Sequence, residues 1–201
     1  MSFESGIDHF FRHEWVVLEQ FIDGRQAALL SAEAVTLWSQ GQFRPARIGQ
    51  GAMQMRHGAV RSDSTCWFSD EPLPAQRELL QAFDRLQQEL NGQGYLGLID
   101  VECHFARYDI GGFYAKHLDR FRTDDRRTVS AVLYLNERWG AEDGGELRLF
   151  PRAADAVLVR PQAGTLAVFM SEYVEHEVLP ARRERWSVAA WFRRRSAGVL
   201  A

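Results

Sequence analysis

The apolar positions of this 201-residue chain change their spacing near its middle. After a short opening segment, Trp15 to Ile22 reads as a strand. Asp23 then stands where a helix cap belongs, and Leu30, Ala34, Leu37 and Trp38 recur at helical spacing until Gly41. A second helix follows Pro74, since Leu79, Leu80, Phe83, Leu86 and Leu90 share one helical face before an Asn91-Gly92 stop. Beyond residue 98 the runs become short and β-rich, near 100 to 108, 128 to 136, 146 to 150, 156 to 160, 164 to 170, 176 to 180 and 186 to 193. Turn signals such as Gly111-Gly112, Gly144-Gly145 and Pro161 separate them. Seven or eight short strands within about 95 residues predict a two-sheet jelly roll or barrel. The expected class is mainly β with flanking helices. One domain spans 1–201, with helical support over about 1–95 bracing one side of a jelly-roll core over about 98–194.

Composition narrows the functions available. An apolar content of 46% suits one domain with a full core, and no composition break divides the chain. A formal charge of −3 gives no global basic field, which argues against capture of nucleic acid by charge. The two cysteines, Cys66 and Cys103, are too few for a disulfide scaffold and lack the paired spacing of a zinc site, which suits a reducing compartment. No targeting leader is apparent, and no apolar run approaches the roughly 18 residues of a membrane span. A cytoplasmic protein without membrane contact, working as a monomer, is expected. Lys116 is the only lysine among otherwise arginine cations, as a GC-rich genome would produce.

The segment Tyr114-Ala115-Lys116-His117-Leu118-Asp119 contains His-x-Asp. In an extended strand, residues two apart point to one face, so an imidazole and a carboxylate would converge. Alone this carries little weight, because acidic residues are common near any histidine. The run His176-Glu177-Val178-Leu179-Pro180, with Arg185 nine residues after the histidine, changes that. Two histidines and one carboxylate form the facial triad that holds non-haem iron(II) and leaves coordination positions open. A dicarboxylate bound to such a metal at one end needs a fixed cation at the other, and guanidinium pairs with carboxylate through two hydrogen bonds. Strand parity puts Arg185, Ser187, Ala189 and Trp191 on one face, and Trp186, Val188, Ala190 and Phe192 on the other. The small residues between Arg185 and Trp191 leave room for a ligand.

Taken in order, the motifs carry a resemblance. They are Tyr-x-x-Gly-Gly-Phe-Tyr-x-x-His-x-Asp at Tyr108 to Asp119, Tyr-Leu-Asn at Tyr134 to Asn136, Gly-Gly-x-Leu-Arg-x-Phe-Pro at Gly144 to Pro151, and His176-Glu177-Val178 with Arg185 and Trp191. From about residue 15 to 193 the chain resembles the prolyl hydroxylases that include the hypoxia-sensing animal enzymes and their bacterial relatives. The resemblance implies a double-stranded β-helix of the cupin-like, jelly-roll kind, with Fe(II) on His117, Asp119 and His176. It implies 2-oxoglutarate as co-substrate, its far carboxylate on Arg185 and the Tyr134 hydroxyl, in a pocket lined by Tyr108, Val132, Leu147, Val178 and Trp191. It also implies O2 as oxidant, ascorbate (vitamin C) as reductant, and a dioxygenase that hydroxylates C4 of a prolyl residue in a protein while 2-oxoglutarate yields succinate and CO2. Arg127, Asp63, Tyr114 and Trp67 match substrate-side positions, with an Asp63–Arg127 salt bridge expected at the mouth of the site. Bacterial relatives point to the translation machinery as partner.

The chain departs from that pattern in places. The loop between Tyr108 and His117 is one residue shorter than in the animal enzymes. Ala189 stands where they carry a hydroxyl residue, and His104 where they carry an apolar one. His104 shares a strand face with Ala106 and Tyr108 and reads as packing or support beside the ligands, not as a fourth ligand. His9, His13 and His57 read as surface residues. A mobile, polar entrance is expected between residues 50 to 67 and the loop at 120 to 127. Two other readings keep the same residues in view: a hydroxylase of a free amino acid or small metabolite on the same iron site, and a non-catalytic metal-binding jelly-roll module. Nucleic-acid demethylation lacks its basic footprint.

Overall fold

The computed structural model describes residues 3–46, 60–120 and 125–196. The elements run α1 (Phe3–His13), β1 (Trp15–Leu18), α2 (Gly24–Ser39), β2 (Arg44–Pro45), β3 (Ser64–Trp67), α3 (Pro74–Gly94), β4 (Leu98–Tyr108) and β5 (Tyr114–His117). There follow β6 (Arg127–Tyr134), a short 3-10 turn at Ala141–Asp143, β7 (Leu147–Phe150), β8 (Val157–Val159), β9 (Leu166–Met170), β10 (Glu175–Val178) and β11 (Arg185–Arg194). All strand pairings are antiparallel. A seven-stranded sheet has the order β1-β9-β6-β11-β4-β3-β2, and a four-stranded sheet the order β5-β10-β7-β8. That is the expected jelly roll with helical support.

Period-two alternation divides the core into two layers. On one face of the large sheet, Val129, Ala131, Leu133, Val188, Ala190 and Phe192 pack with Leu30 and Ala34 of α2 and with Leu79, Phe83, Leu86 and Leu90 of α3. On the other face, Ala106, Tyr108, Tyr134, Ala167 and Phe169 meet Leu147, Leu149, Val159 and Val178, so this second layer joins the two sheets. The functional site lies at this second layer.

Several element limits differ from the sequence expectation. The opening segment is the helix α1, which buries only Gly6, Ile7 and Phe10 and so shows little apolar pattern. Strand β1 stops at Leu18, because Gln20 takes a left-handed conformation with φ of 56°. The α2 cap is as expected, with the Asp23 carboxylate accepting from the Gln26 N–H at 2.7 Å. Helix α3 runs through Asn91-Gly92 and ends at a left-handed Tyr95. Asn91 fixes the start of β4 instead, accepting from the Leu98 N–H at 2.8 Å and donating to the Leu98 carbonyl at 2.9 Å. Among the described residues no helix is long and apolar enough to cross a membrane.

Candidate active site

Strands β5 and β10 pair so that His117 and His176 are direct cross-strand partners, with ring centroids 4.2 Å apart. Asp119 sits at the bend just past β5, and one ligand atom from each of His117, Asp119 and His176 lies within 4.8 Å of the others. The Nδ1 atoms of His117 and His176 lie 2.7 Å and 3.3 Å from the carbonyls of Ala115 and Val174. A carbonyl only accepts, so Nδ1 carries a proton in both rings and Nε2 is the atom each ring turns to the centre of the site. Those Nε2 atoms are 3.6 Å and 3.5 Å from the two Asp119 oxygens. Two imidazoles and one carboxylate on one side of an open pocket are the donor set of a non-haem iron centre, so the residues fit the metal.

Burial works against the Asp119 charge, but His176, His117 and the Ser130 hydroxyl outweigh it and hold the carboxyl well below the usual carboxylate range. Burial lowers the His176 pKa to about 4, partly opposed by Asp119, which leaves the ring neutral and able to bind a metal at neutral pH. Ser130 on β6 donates to Asp119 Oδ2 at 2.7 Å and lies 2.8 Å from the Ser171 hydroxyl. Sequence reading misses both serines. The available signal is a lone hydroxyl in the apolar run Val129-Ser130-Ala131-Val132-Leu133.

The far end of the pocket is built on β11. Arg185 is 1% exposed, its Nε donates to the Gly145 carbonyl at 2.8 Å, and Nη1 donates to Ser187 Oγ at 3.3 Å. Nη2 is buried with no partner, and so is the Tyr134 hydroxyl. The guanidinium carbon lies 5.0 Å and 5.2 Å from the ring centres of Tyr108 and Tyr134. Burial pushes the Tyr134 hydroxyl pKa up, and the Arg185 charge offsets part of the rise, so the group is a neutral donor at any physiological pH. No carboxylate lies within ion-pair distance of Arg185 among the described residues. Two orphaned donors beside an uncompensated buried cation fit an incoming carboxylate.

Val132, Leu147, Val178, Trp191, Tyr108, Tyr114 and Asp63 line the same pocket as the triad and Arg185. Tyr134 lies fully buried beside Arg185. Tyr114 stacks flat on His117, with centroids 3.6 Å apart, and the Arg61 guanidinium covers its other side at 4.3 Å. Trp67 is exposed and is not among the residues that line the pocket, though its ring is 6.0 Å from that of Trp191, which does. His104 lines the same pocket and stands outside the cluster formed by His117, Asp119 and His176. His13 is exposed, whereas His9 is half-buried between His13 and Trp15, which corrects its reading as a surface residue. His57, most of the segment from 50 to 67, and residues 121–124 of the entrance loop lie outside the described residues.

The expected Asp63–Arg127 salt bridge does not form. Arg61 takes both Asp63 oxygens, at 2.7 Å and 2.6 Å, in a fork that pairs the charge of the fully buried carboxylate. Arg127 pairs with Glu102 at 2.8 Å and lies 3.7 Å over the Trp191 ring. Glu102 is directly opposite Trp191 on β4, so the strand register delivers a nearer carboxylate than Asp63.

Comparison with known proteins agrees with this geometry. The 2OG-Fe(II) oxygenase superfamily matches residues 103–193. A prolyl-4-hydroxylase from Pseudomonas putida is 42% identical with a TM-score of 0.88, over 96% of this chain and 99% of that one. A Trichoplax adhaerens prolyl hydroxylase, solved with a hypoxia inducible factor oxygen degradation domain peptide fragment, has the same fold at 24% identity and TM-score 0.85, over 94% and 88% of the two chains. A hypoxia-inducible factor prolyl hydroxylase from Caenorhabditis elegans is 27% identical over 89% of this chain, which spans only 26% of that protein. With its His-Asp-His cluster at one end of the pocket and a buried arginine at the other, the chain belongs to the prolyl hydroxylase family of 2OG-Fe(II) oxygenases.

Proposed function

We propose that this protein is a 2-oxoglutarate-dependent dioxygenase that hydroxylates C4 of a prolyl residue in a protein substrate. The observation that carries the reading is the pairing of the triad with the orphaned donors of Arg185 and Tyr134 within one jelly-roll interior. His117, Asp119 and His176 would hold Fe(II), which when bound supplies the activation of dioxygen that no protein side chain offers. Arg185 and Tyr134 would take the far carboxylate of 2-oxoglutarate, and Tyr108, Val132, Leu147, Val178 and Trp191 would wall it from water. In the balanced reaction one O2 is divided between succinate, formed with CO2 from 2-oxoglutarate, and the new prolyl hydroxyl.

Asp119 stays ionised and the His176 imidazole stays neutral, so neither needs to move a proton during turnover. Tyr114, Trp67, Arg127 and Asp63 serve the substrate side: Tyr114 and Trp67 offer ring surface, and Arg61 holds Asp63 so that its charge is already spent. The free thiols Cys66 and Cys103 suit cytoplasmic action. Ascorbate is the reductant to include, a monomer the expected working species, and the translation machinery the first place to seek the substrate.

The purified protein with Fe(II), ascorbate and a cell lysate as substrate source should convert 2-oxoglutarate to succinate, and His117→Ala should abolish it. A wild-type protein that gives no succinate under any of these conditions contradicts the proposal.

A further inference from the structure

His104 belongs neither to the triad nor to the Arg185–Tyr134 end, yet it lies on the floor of the pocket. It is 3% exposed on β4, directly opposite Ala189 of β11 and Trp67 of β3. Nδ1 lies 3.0 Å from the carbonyl of Phe105, which can only accept, so Nδ1 carries the proton. Nε2 is then a bare lone pair, and it has no hydrogen-bond partner among the described residues. Ala189 ends at its Cβ and leaves the imidazole uncovered on that side. The flanking surfaces are indoles, with the Trp67 and Trp191 rings 4.8 Å and 5.3 Å from the imidazole. The charged groups nearby are already paired, Asp63 forked by Arg61 and Arg127 held by Glu102, while the Trp191 indole N–H is buried without a partner and makes no hydrogen bond to His104.

A neutral, partnerless acceptor between two aromatic walls selects for a donor. The co-substrate cannot meet it, because 2-oxoglutarate is ionised at both ends and carries only acceptors. A prolyl residue within a chain cannot meet it either, since its nitrogen bears no hydrogen. We propose that His104 Nε2 accepts a hydrogen bond from a main-chain N–H of the substrate, that of the residue following the target proline. His104 is thus a positioning residue that fixes the peptide beside the Trp67 and Trp191 walls. Burial lowers its pKa to about 4, which keeps the lone pair available at neutral pH. The inference rests on the prolyl reading of the site.

The test uses the protein loaded with Fe(II) and 2-oxoglutarate without oxygen, and a synthetic peptide around a proline that the wild type hydroxylates. Peptide affinity is measured by calorimetry for the wild type, His104→Met and His104→Gln, and for the same peptide N-methylated at the residue after proline. His104→Met, which keeps the volume and loses the acceptor, should weaken binding about tenfold or more. His104→Gln, whose amide oxygen reaches close to the place of Nε2, should recover most of it. N-methylation should weaken the wild type similarly and His104→Met hardly further, since both remove one hydrogen bond. Binding of 2-oxoglutarate, measured the same way, controls for the fold and should change less than about twofold. Equal peptide affinity in wild type and His104→Met, or additive losses from substitution and N-methylation, would overturn the proposal. If the wild type forms succinate but hydroxylates no proline in any lysate protein, the prolyl reading fails and this inference fails with it.

Discussion

Arg185 is a cation sealed in the interior with no carboxylate beside it among the described residues, and Tyr134 brings it an unpaired hydroxyl. A hydrogen bond to a charged group contributes about 1.5–3 kcal/mol, so Tyr134→Phe should weaken 2-oxoglutarate binding by about 10- to 100-fold with little effect on Fe(II). Titration of the co-substrate into the iron-loaded protein measures this, and an unchanged affinity would remove Tyr134 from the site. At the other end, Ser130→Ala takes away the hydroxyl that orients Asp119, and loss of such support lowers metal affinity by roughly 10- to 100-fold. His104 gives a pH signature. Its folded pKa of about 4 lies below the ordinary 6.5, chiefly through burial, with Asp63 opposing and Arg61 and Arg127 adding to the shift. The unfolded chain therefore takes up more protons as pH falls from 6.5 towards 4. The stabilisation is complete above 6.5 and is lost across that window, about 3 kcal/mol for this group. Denaturant titration of the metal-free protein should show His104→Met losing that much less than the wild type over the same range, whereas equal losses would contradict the assignment.

Elements set where these residues stand, and here the sequence is informative in some places and silent in others. The alternation along β11 is legible because period two on a buried strand admits one register. Arg185, Ser187, Ala189 and Trp191 do line the pocket, while Val188, Ala190 and Phe192 enter the helix-facing core. The choice of partner for Asp63 is not legible. It depends on Arg61 forming an isolated bridge with Tyr114 and on the β4–β11 register that presents Glu102 to Arg127, both of them tertiary facts. Helix α1 escapes notice because Ile7 and Phe10 are its only large buried side chains. The Gly144-Gly145 turn is legible as a turn but not as part of the site. Gly145 has φ of 70°, its carbonyl receives Arg185 Nε, and a Cβ there would stand 3.2 Å from Arg185 Cδ and 3.0 Å from Ala181 Cβ. Gly145→Ala should therefore lower the thermal midpoint and raise the KM for 2-oxoglutarate together. A change in the midpoint alone would show that the turn does not position the arginine.

At the scale of the whole molecule, one sheet separates two tasks. Its helix-facing side carries Phe105, Leu133, Val188 and Phe192 into a core with α2 and α3, which keeps the floor rigid. The opposite side, closed by β5, β10, β7 and β8, holds metal donors at one end and the cation at the other. Chain order alone predicts this division, because helices precede residue 98 and short strands follow it; the added strand β3, with Asp63 just before it, sets Asp63 in the pocket lining and the Trp67 ring against Trp191. The most direct measurement of the central claim is turnover under isotopically heavy dioxygen, with mass spectrometry of both products. Prolyl hydroxylation at this site should put one heavy oxygen atom in succinate and one in a prolyl residue of the substrate protein, with neither product formed by His117→Ala. Heavy oxygen in succinate with none in any prolyl residue, or prolyl oxidation that persists in His117→Ala, would contradict it.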